Sequence, residues 1–281
     1  MAKVSLIIPV YRCREHIVDC LDSVLAQTLD DIEAILVDDH GKDDSIQLAR
    51  ERLSRYDGPK RFVFTETTAN SGPGAARNLG IRQASGDYLA FLDADDSINP
   101  VFCQSLYEAA IRADADIAFG SIAFCSLEET IVRHNPAVRD GAFESAVKKA
   151  YLRKFTSYFT TYLYKKSLLV DGGIVFPRTH SAEDSCFLTC CLLSARRIAS
   201  DNRACYNYRI HPASTSHKRD PLRWKNRLES FRKVEAFARE QGLYAPYRGV
   251  IRLLVAKKGW GMALKDYLTN NLFIKPYGKT D

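Results

Sequence analysis

This chain of 281 residues is predicted to form an α/β fold: a mostly parallel sheet covered by helices, followed by a helical C-terminal region. Two observations carry that expectation. Over the first 120 residues apolar runs alternate with helical patterns, which is how a parallel sheet covered on both faces reads in sequence. Several of those runs then end in acidic or glycine-rich clusters, and open α/β sheets bind ligands outside the carboxyl ends of their strands.

In chain order, strands are expected at 3–9, 32–38, 61–65, 88–92 and 116–120, with helices near 15–27, 43–55, 73–85 and 100–114. Ile17, Leu21, Val24 and Leu25 form a one-sided stripe on the first helix. Ile122-Ala123-Phe124 and Thr130-Ile131-Val132 read as further strands, 134–142 as a turn-rich connection and 143–154 as a helix. Gly172-Gly173 reads as a turn into a short strand ending at Phe176. A helix over Asp184–Leu193 and a strand over Arg203–Ile210 follow. From Pro221, with Asp220 as a cap, the pattern turns helical: Leu228, Phe231, Val234 and Phe237 share a face, and Gly242 ends the helix. A last helix is expected near 246–268. The expected division is 1–220 as one domain, with halves 1–120 and 121–220, and 221–281 as a basic helical extension.

Apolar residues make up 46% and charged residues 26%, as in ordinary globular proteins. No apolar run approaches the roughly 18 residues of a membrane span. The N-terminus enters a strand-like run directly, without a signal-peptide layout. Eight cysteines show no C-x-x-C pair and are expected to be reduced, in a cytoplasmic protein. Net charge is +6, and the surplus is concentrated after residue 200, where 17 Lys and Arg face 7 Asp and Glu. Such a face is read as packing on the domain, as peripheral contact with an anionic membrane surface, or as a dimer contact; no nucleic-acid partner is expected.

Four clusters fall at expected strand ends. Pro9-Val10-Tyr11 ends the first strand, and Tyr11 offers a ring for stacking. Asp38-Asp39 ends the second, ahead of His40-Gly41-Lys42. Asn70-Ser71-Gly72-Pro73-Gly74-Ala75-Ala76-Arg77-Asn78 opens a helix whose free amides and positive end suit a phosphate, with Arg77 adding charge. It is not a dinucleotide G-x-G-x-x-G, because Arg77 takes the third glycine's place. Asp93-Ala94-Asp95, followed by Asp96, ends the apolar run Tyr88–Leu92 and offers hard oxygen ligands for Mg²⁺ or Mn²⁺.

Together, in this order and spacing, these stretches resemble glycosyltransferase family 2. The resemblance is strong over 3–120 and continues more weakly to about 217. It implies the GT-A fold and an inverting transferase using a nucleotide-sugar, with a UDP-sugar as the expected donor and a glycan or lipid-linked glycan as acceptor, in bacterial surface polysaccharide synthesis. On this reading Pro9, Val10, Tyr11, Asp39, Gly74, Arg77, Asp93, Ala94 and Asp95 bind the nucleotide-sugar, with Asp95 the direct ligand of Mn²⁺ or Mg²⁺. Glu183-Asp184 matches the family's acidic pair ahead of the acceptor helix: Asp184 is the expected base and Glu183 a sugar contact. His217, or His211, in the donor-rich stretch 206–217 is the expected further metal ligand. His40-Gly41-Lys42 departs from the small and hydroxyl residues usual after the Asp pair. Alternatives are a sugar-phosphate nucleotidyltransferase, which would show a Gly-rich basic signature after the first strand, or a non-catalytic nucleotide-sugar binding module, which would need no base.

Overall fold

The computed structural model describes residues 2–155, 158–179, 181–210 and 223–256. In chain order the elements are β1 (Val4–Val10), α1 (Ile17–Leu25), β2 (Ile32–Asp38), α2 (Ser45–Leu53), β3 (Arg61–Glu66), α3 (Pro73–Gln83), β4 (Tyr88–Phe91), β5 (Ser97–Ile98), α4 (Phe102–Ala113), β6 (Ile117–Cys125), β7 (Thr130–His134) and β8 (Gly141–Ala142). There follow α5 (Ser145–Leu152), a 3-10 turn (Phe159–Thr161), β9 (Tyr162–Lys165), α6 (Lys166–Val170), α7 (Glu183–Ser194), β10 (Arg197–Arg209), α8 (Arg223–Glu240) and α9 (Tyr244–Leu254).

The strands form one sheet in the order β3-β2-β1-β4-β9-β6-β10-β5, with β7 added on β6 and β8 on β10. β3, β2, β1 and β4 are mutually parallel. β9 runs antiparallel to both β4 and β6, so β6 and its parallel partner β10 point the same way as β4. The carboxyl ends of β1, β2, β3, β4, β6 and β10 therefore share one edge, and the acidic clusters collect there. The antiparallel insertion of β9 makes the sheet mixed, where the sequence suggested mostly parallel. Nothing in Tyr162–Lys165 marked a strand, since this four-residue segment ends in a part-exposed lysine and forms neither a continuous apolar run nor an alternation.

Period two along the strands divides the side chains between two apolar layers. Leu6, Ile8 and Ala90 pack with α1 and α4, while Ile7, Leu89 and Phe91 pack with α3, α5 and α7. Phe231, Val234 and Ala238 of α8 and Val250, Ile251 and Leu254 of α9 belong to the second of these layers. At its centre Phe176 stacks on Phe187 at 3.9 Å, and the ring of Phe91 meets Phe159, Phe176 and Phe187.

Gly172-Gly173 makes a turn as expected, but no strand follows it. Asn78 of α3 takes the backbone bonds of Phe176 instead: its Oδ1 accepts the Phe176 N–H and its Nδ2 donates to the Phe176 carbonyl, both at 2.9 Å. α9 ends at Leu254; the expected continuation to 268 passes, from residue 257, outside the described residues, as do Asp220 and Pro221. All eight cysteines are free thiols. Among the described residues, no helix is long and apolar enough to cross a membrane.

Candidate active site

At the shared strand edge lies a cleft of about 990 Å³ lined by Pro9, Tyr11, Arg12, Asp39, Gly72, Arg77, Asp93, Ala94 and Asp95 among others. Tyr11 is 42% exposed, and the Arg12 guanidinium lies 5.3 Å from its ring centre. Val10 is buried in the α1 layer, so only its backbone serves the edge, where its carbonyl accepts the Asp39 N–H at 3.0 Å.

Asp39 is 2% exposed. Its carboxylate accepts from the Thr67 hydroxyl at 2.8 Å and from the Ser71 and Gly72 amides at 2.9 Å. Three of about four acceptor directions thus hold the 67–72 loop in place. That loop leads into α3 through Gly72 (φ 83°) and Pro73, a conformation that suits glycine and a residue that suits a first helical turn. Gly74 does not line the cleft wall directly: a Cβ there would face Phe176, Pro177 and the Cγ of Glu183 at 3.3–3.9 Å. It sets the approach of α3 to the acidic pair.

Arg77 joins the two halves of the site. It is 6% exposed, donates to Asp93 Oδ1 at 2.6 Å, and lies over the rings of Phe159 (4.7 Å) and Phe176 (5.4 Å). Burial works against its charge, but the nearby charges of Asp93, Glu183 and Asp184 hold its pKa above the ordinary value. Its buried Nε–H has no hydrogen-bond acceptor among the described residues.

The loop after β4 is tied to β10. Tyr206 Oη accepts the Asp93 N–H at 3.2 Å and donates to Asp96 Oδ2 at 2.7 Å, while the Arg209 N–H bonds Asp96 Oδ1 at 2.8 Å. Burial, then the charges of Asp93 and Asp95, push the Asp96 carboxyl up to about 8. Three acids thus share a tight space. The half-buried Asp93 and Asp95 lie on the cleft, with Asp93 tied to Arg77. This all-oxygen set and its crowding of negative charge fit a hard divalent cation. Among the described residues, the group of three ligating side chains that come within 4.8 Å of one another lies elsewhere, at Asp38, His40 and Glu66. His217 and His211 lie outside the described residues.

α7 begins directly at Glu183, after Ala182 in the left-handed region (φ 60°). Both acids are half-buried, and both have raised pKa values: burial is the main cause for each, with Asp184 next for Glu183. For Asp184 the Ser185 amide, at 2.6 Å, and the charges of Arg77 and Arg227 pull the other way. Neither Tyr206 nor Asp96 had been given a role from the sequence, and the Tyr206-x-Tyr208 alternation next to Arg209 was the available signal.

The fold thus brings to one sheet edge an open cleft, an acidic loop and, across a buried arginine, a second acid pair. Residues 5–173 match the family described as Glycosyl transferase family 2, and the chain belongs to that family. The Bacillus subtilis protein named Uncharacterized glycosyltransferase EpsJ is 34% identical over 217 residues, which is 75% of this chain and 62% of EpsJ. A Bacillus spizizenii poly(ribitol-phosphate) beta-glucosyltransferase is 32% identical over 216 residues, 74% of this chain and 32% of that protein. This chain therefore spans less than two thirds of either relative. Staphylococcus aureus TarS 1-349 in complex with UDP-GlcNAc superposes with a TM-score of 0.73 at 21% identity, over 97% of this chain and 76% of that one, which establishes the GT-A fold.

Proposed function

We propose that this chain is a metal-dependent, inverting hexosyltransferase. It moves a sugar from a nucleotide-sugar, with UDP as the nucleotide, to a hydroxyl of a glycan or lipid-linked glycan during surface-polymer synthesis. The observation that carries this reading is Arg77, which binds Asp93 on the donor side and lies within the fields of Glu183 and Asp184 on the other. A binding module would have no use for that second acid pair. Support for the donor and acceptor classes comes from the similarity to TarS, solved with UDP-GlcNAc, and to a poly(ribitol-phosphate) glucosyltransferase.

In this reading Tyr11 flanks the base and Asp39 borders it. Asp93 meets the ribose; Asp95 would hold Mn²⁺ or Mg²⁺, and the cation would supply charge stabilisation at the diphosphate. Asp184 accepts the proton of the acceptor hydroxyl. As that oxygen bonds to the anomeric carbon, the bond from the same carbon to the phosphate oxygen breaks on the opposite face. The hydroxyl proton ends on Asp184 and the electron pair on the nucleoside diphosphate. Glu183 borders the sugar.

Calorimetry with UDP and Mn²⁺, paired with a UDP-sugar turnover panel, tests the roles. Asp184→Asn is expected to lower turnover about 10²-fold or more, within the usual range for a lost base, while retaining UDP binding. Asp95→Asn is expected to lose the Mn²⁺-dependent part of that binding. Loss of UDP binding in Asp184→Asn would exclude it as a base.

A further inference from the structure

Three half-buried aromatic side chains stand at the same sheet edge as the acidic loop: Phe124 near the end of β6, Tyr208 near the end of β10, and Tyr158 just before the 3-10 turn. Phe124 and Tyr208 are register partners on parallel strands. The ring of Phe124 meets Tyr158 at 5.4 Å and Tyr208 at 5.8 Å, both edge to face. One step further into the sheet on the same strands, Ile122 and Tyr206 are 2% and 0% exposed. The cluster is therefore the rim of the core, where apolar surface continues past the last covered position.

We propose that Phe124, Tyr158 and Tyr208 form a carbohydrate-stacking subsite that holds the acceptor sugar against Asp184. The proposal rests on the transferase reading. Its placement is the first argument. Tyr158 directly precedes Phe159, whose ring lies 4.7 Å from the Arg77 guanidinium and 6.4 Å from Phe187 of α7, the helix that begins at Glu183-Asp184. Tyr208 stands between Tyr206 and Arg209, both of which hold Asp96. The cluster thus bridges the donor loop and the proposed base.

Its chemistry is the second argument. A pyranose presents a face of C–H groups ringed by hydroxyls, and an aromatic surface with polar tips matches both. Here the tips are the two tyrosine hydroxyls, and Arg133 of β7 lies 5.1 Å from the Phe124 ring centre.

The test is saturation-transfer NMR on the full chain, with UDP and Mn²⁺ bound. The probes are the methyl β-glycosides of glucose, N-acetylglucosamine and galactose, and UDP calorimetry runs alongside. Contact to the ring protons of at least one glycoside is expected. It should weaken at least tenfold in Tyr158→Leu and in Tyr208→Leu while UDP binding is kept, and persist in Tyr158→Phe, which retains the ring. Undiminished contact in both leucine variants overturns the proposal. So does the absence of contact with all three glycosides, or its loss in Tyr158→Phe. Failure of the unaltered chain to bind UDP would remove the transferase reading itself, and is distinguishable from these.

Discussion

Arg77 is a cation shared by the acids on both sides of the site: it binds Asp93 and acts on Glu183 and Asp184. The guanidinium is held between two aromatic rings and a carboxylate, a setting that suits its planar fork and would not suit lysine. Asp184 feels the charges of Arg77 and of Arg227 in α8, with Asp93 opposing them. Burial, the largest influence, raises its pKa above the ordinary carboxylate value, and the two arginines restrain that rise. A base works ionised, so turnover should climb as pH rises through this pKa, on a limb displaced upward from an ordinary aspartate. Removing a restraining charge moves the limb further up. Arg227→Gln is therefore expected to shift the acidic limb of the kcat/KM profile to higher pH. A limb that stays in place would show that Arg227 does not act on the group that titrates.

Between residue and fold, the element that matters most is α3, which carries Arg77 and also clamps the chain ahead of α7. Asn78 replaces a strand partner for Phe176, satisfying both of its backbone groups. Asn78→Ala leaves them without that partner, and unfolding in urea should show a loss of about 1–3 kcal/mol, the usual cost of an unsatisfied buried pair. No loss would mean that water replaces the amide. This clamp also explains what was legible in the sequence. β1, β2, β4 and their loops were readable because buried parallel strands are continuous apolar runs and their polar ends are abrupt. The segment after Gly173 looked like a strand because the apolar run Ile174-Val175-Phe176 follows a glycine turn; the backbone bonds of Phe176 go to a side chain 98 residues away in sequence, which no local pattern reports. β9 was hidden for another reason: Tyr162–Lys165 is four residues long and ends in a lysine, so it forms no continuous apolar run. Asp93 and Asp184 were readable singly, but their junction through Arg77 was not, because it depends on how α3 meets α7.

At the scale of the whole molecule, the C-terminal helices reach into the proposed chemistry. α8 packs on α7, and its Ser230 is wholly buried. The Ser230 hydroxyl donates to the Ser181 carbonyl at 2.6 Å and lies 2.7 Å from the Thr179 hydroxyl, so it ties down the chain just ahead of Glu183 and Asp184. Ala182, between Ser181 and Glu183, sits in a left-handed conformation that an alanine rarely adopts without support from its neighbours. The matched family segment ends at residue 173, so this clamp and the acid pair both lie beyond it. Ser230→Ala removes the donor at a cost of about 1–3 kcal/mol for the carbonyl left unpaired. It should lower UDP-sugar turnover about tenfold or more through misplacement of the base, since geometry errors near 1 Å carry penalties of order 10². UDP and Mn²⁺ binding should hold, because Asp39, Asp93 and Asp95 belong to a different part of the edge. Hydrogen exchange should show faster opening of the amides after Ala182 with the β1 and β4 amides unchanged. If UDP affinity falls with turnover and exchange quickens throughout the sheet, α8 acts only as a general stabiliser; a split between the two readouts makes it part of the acceptor side of the site.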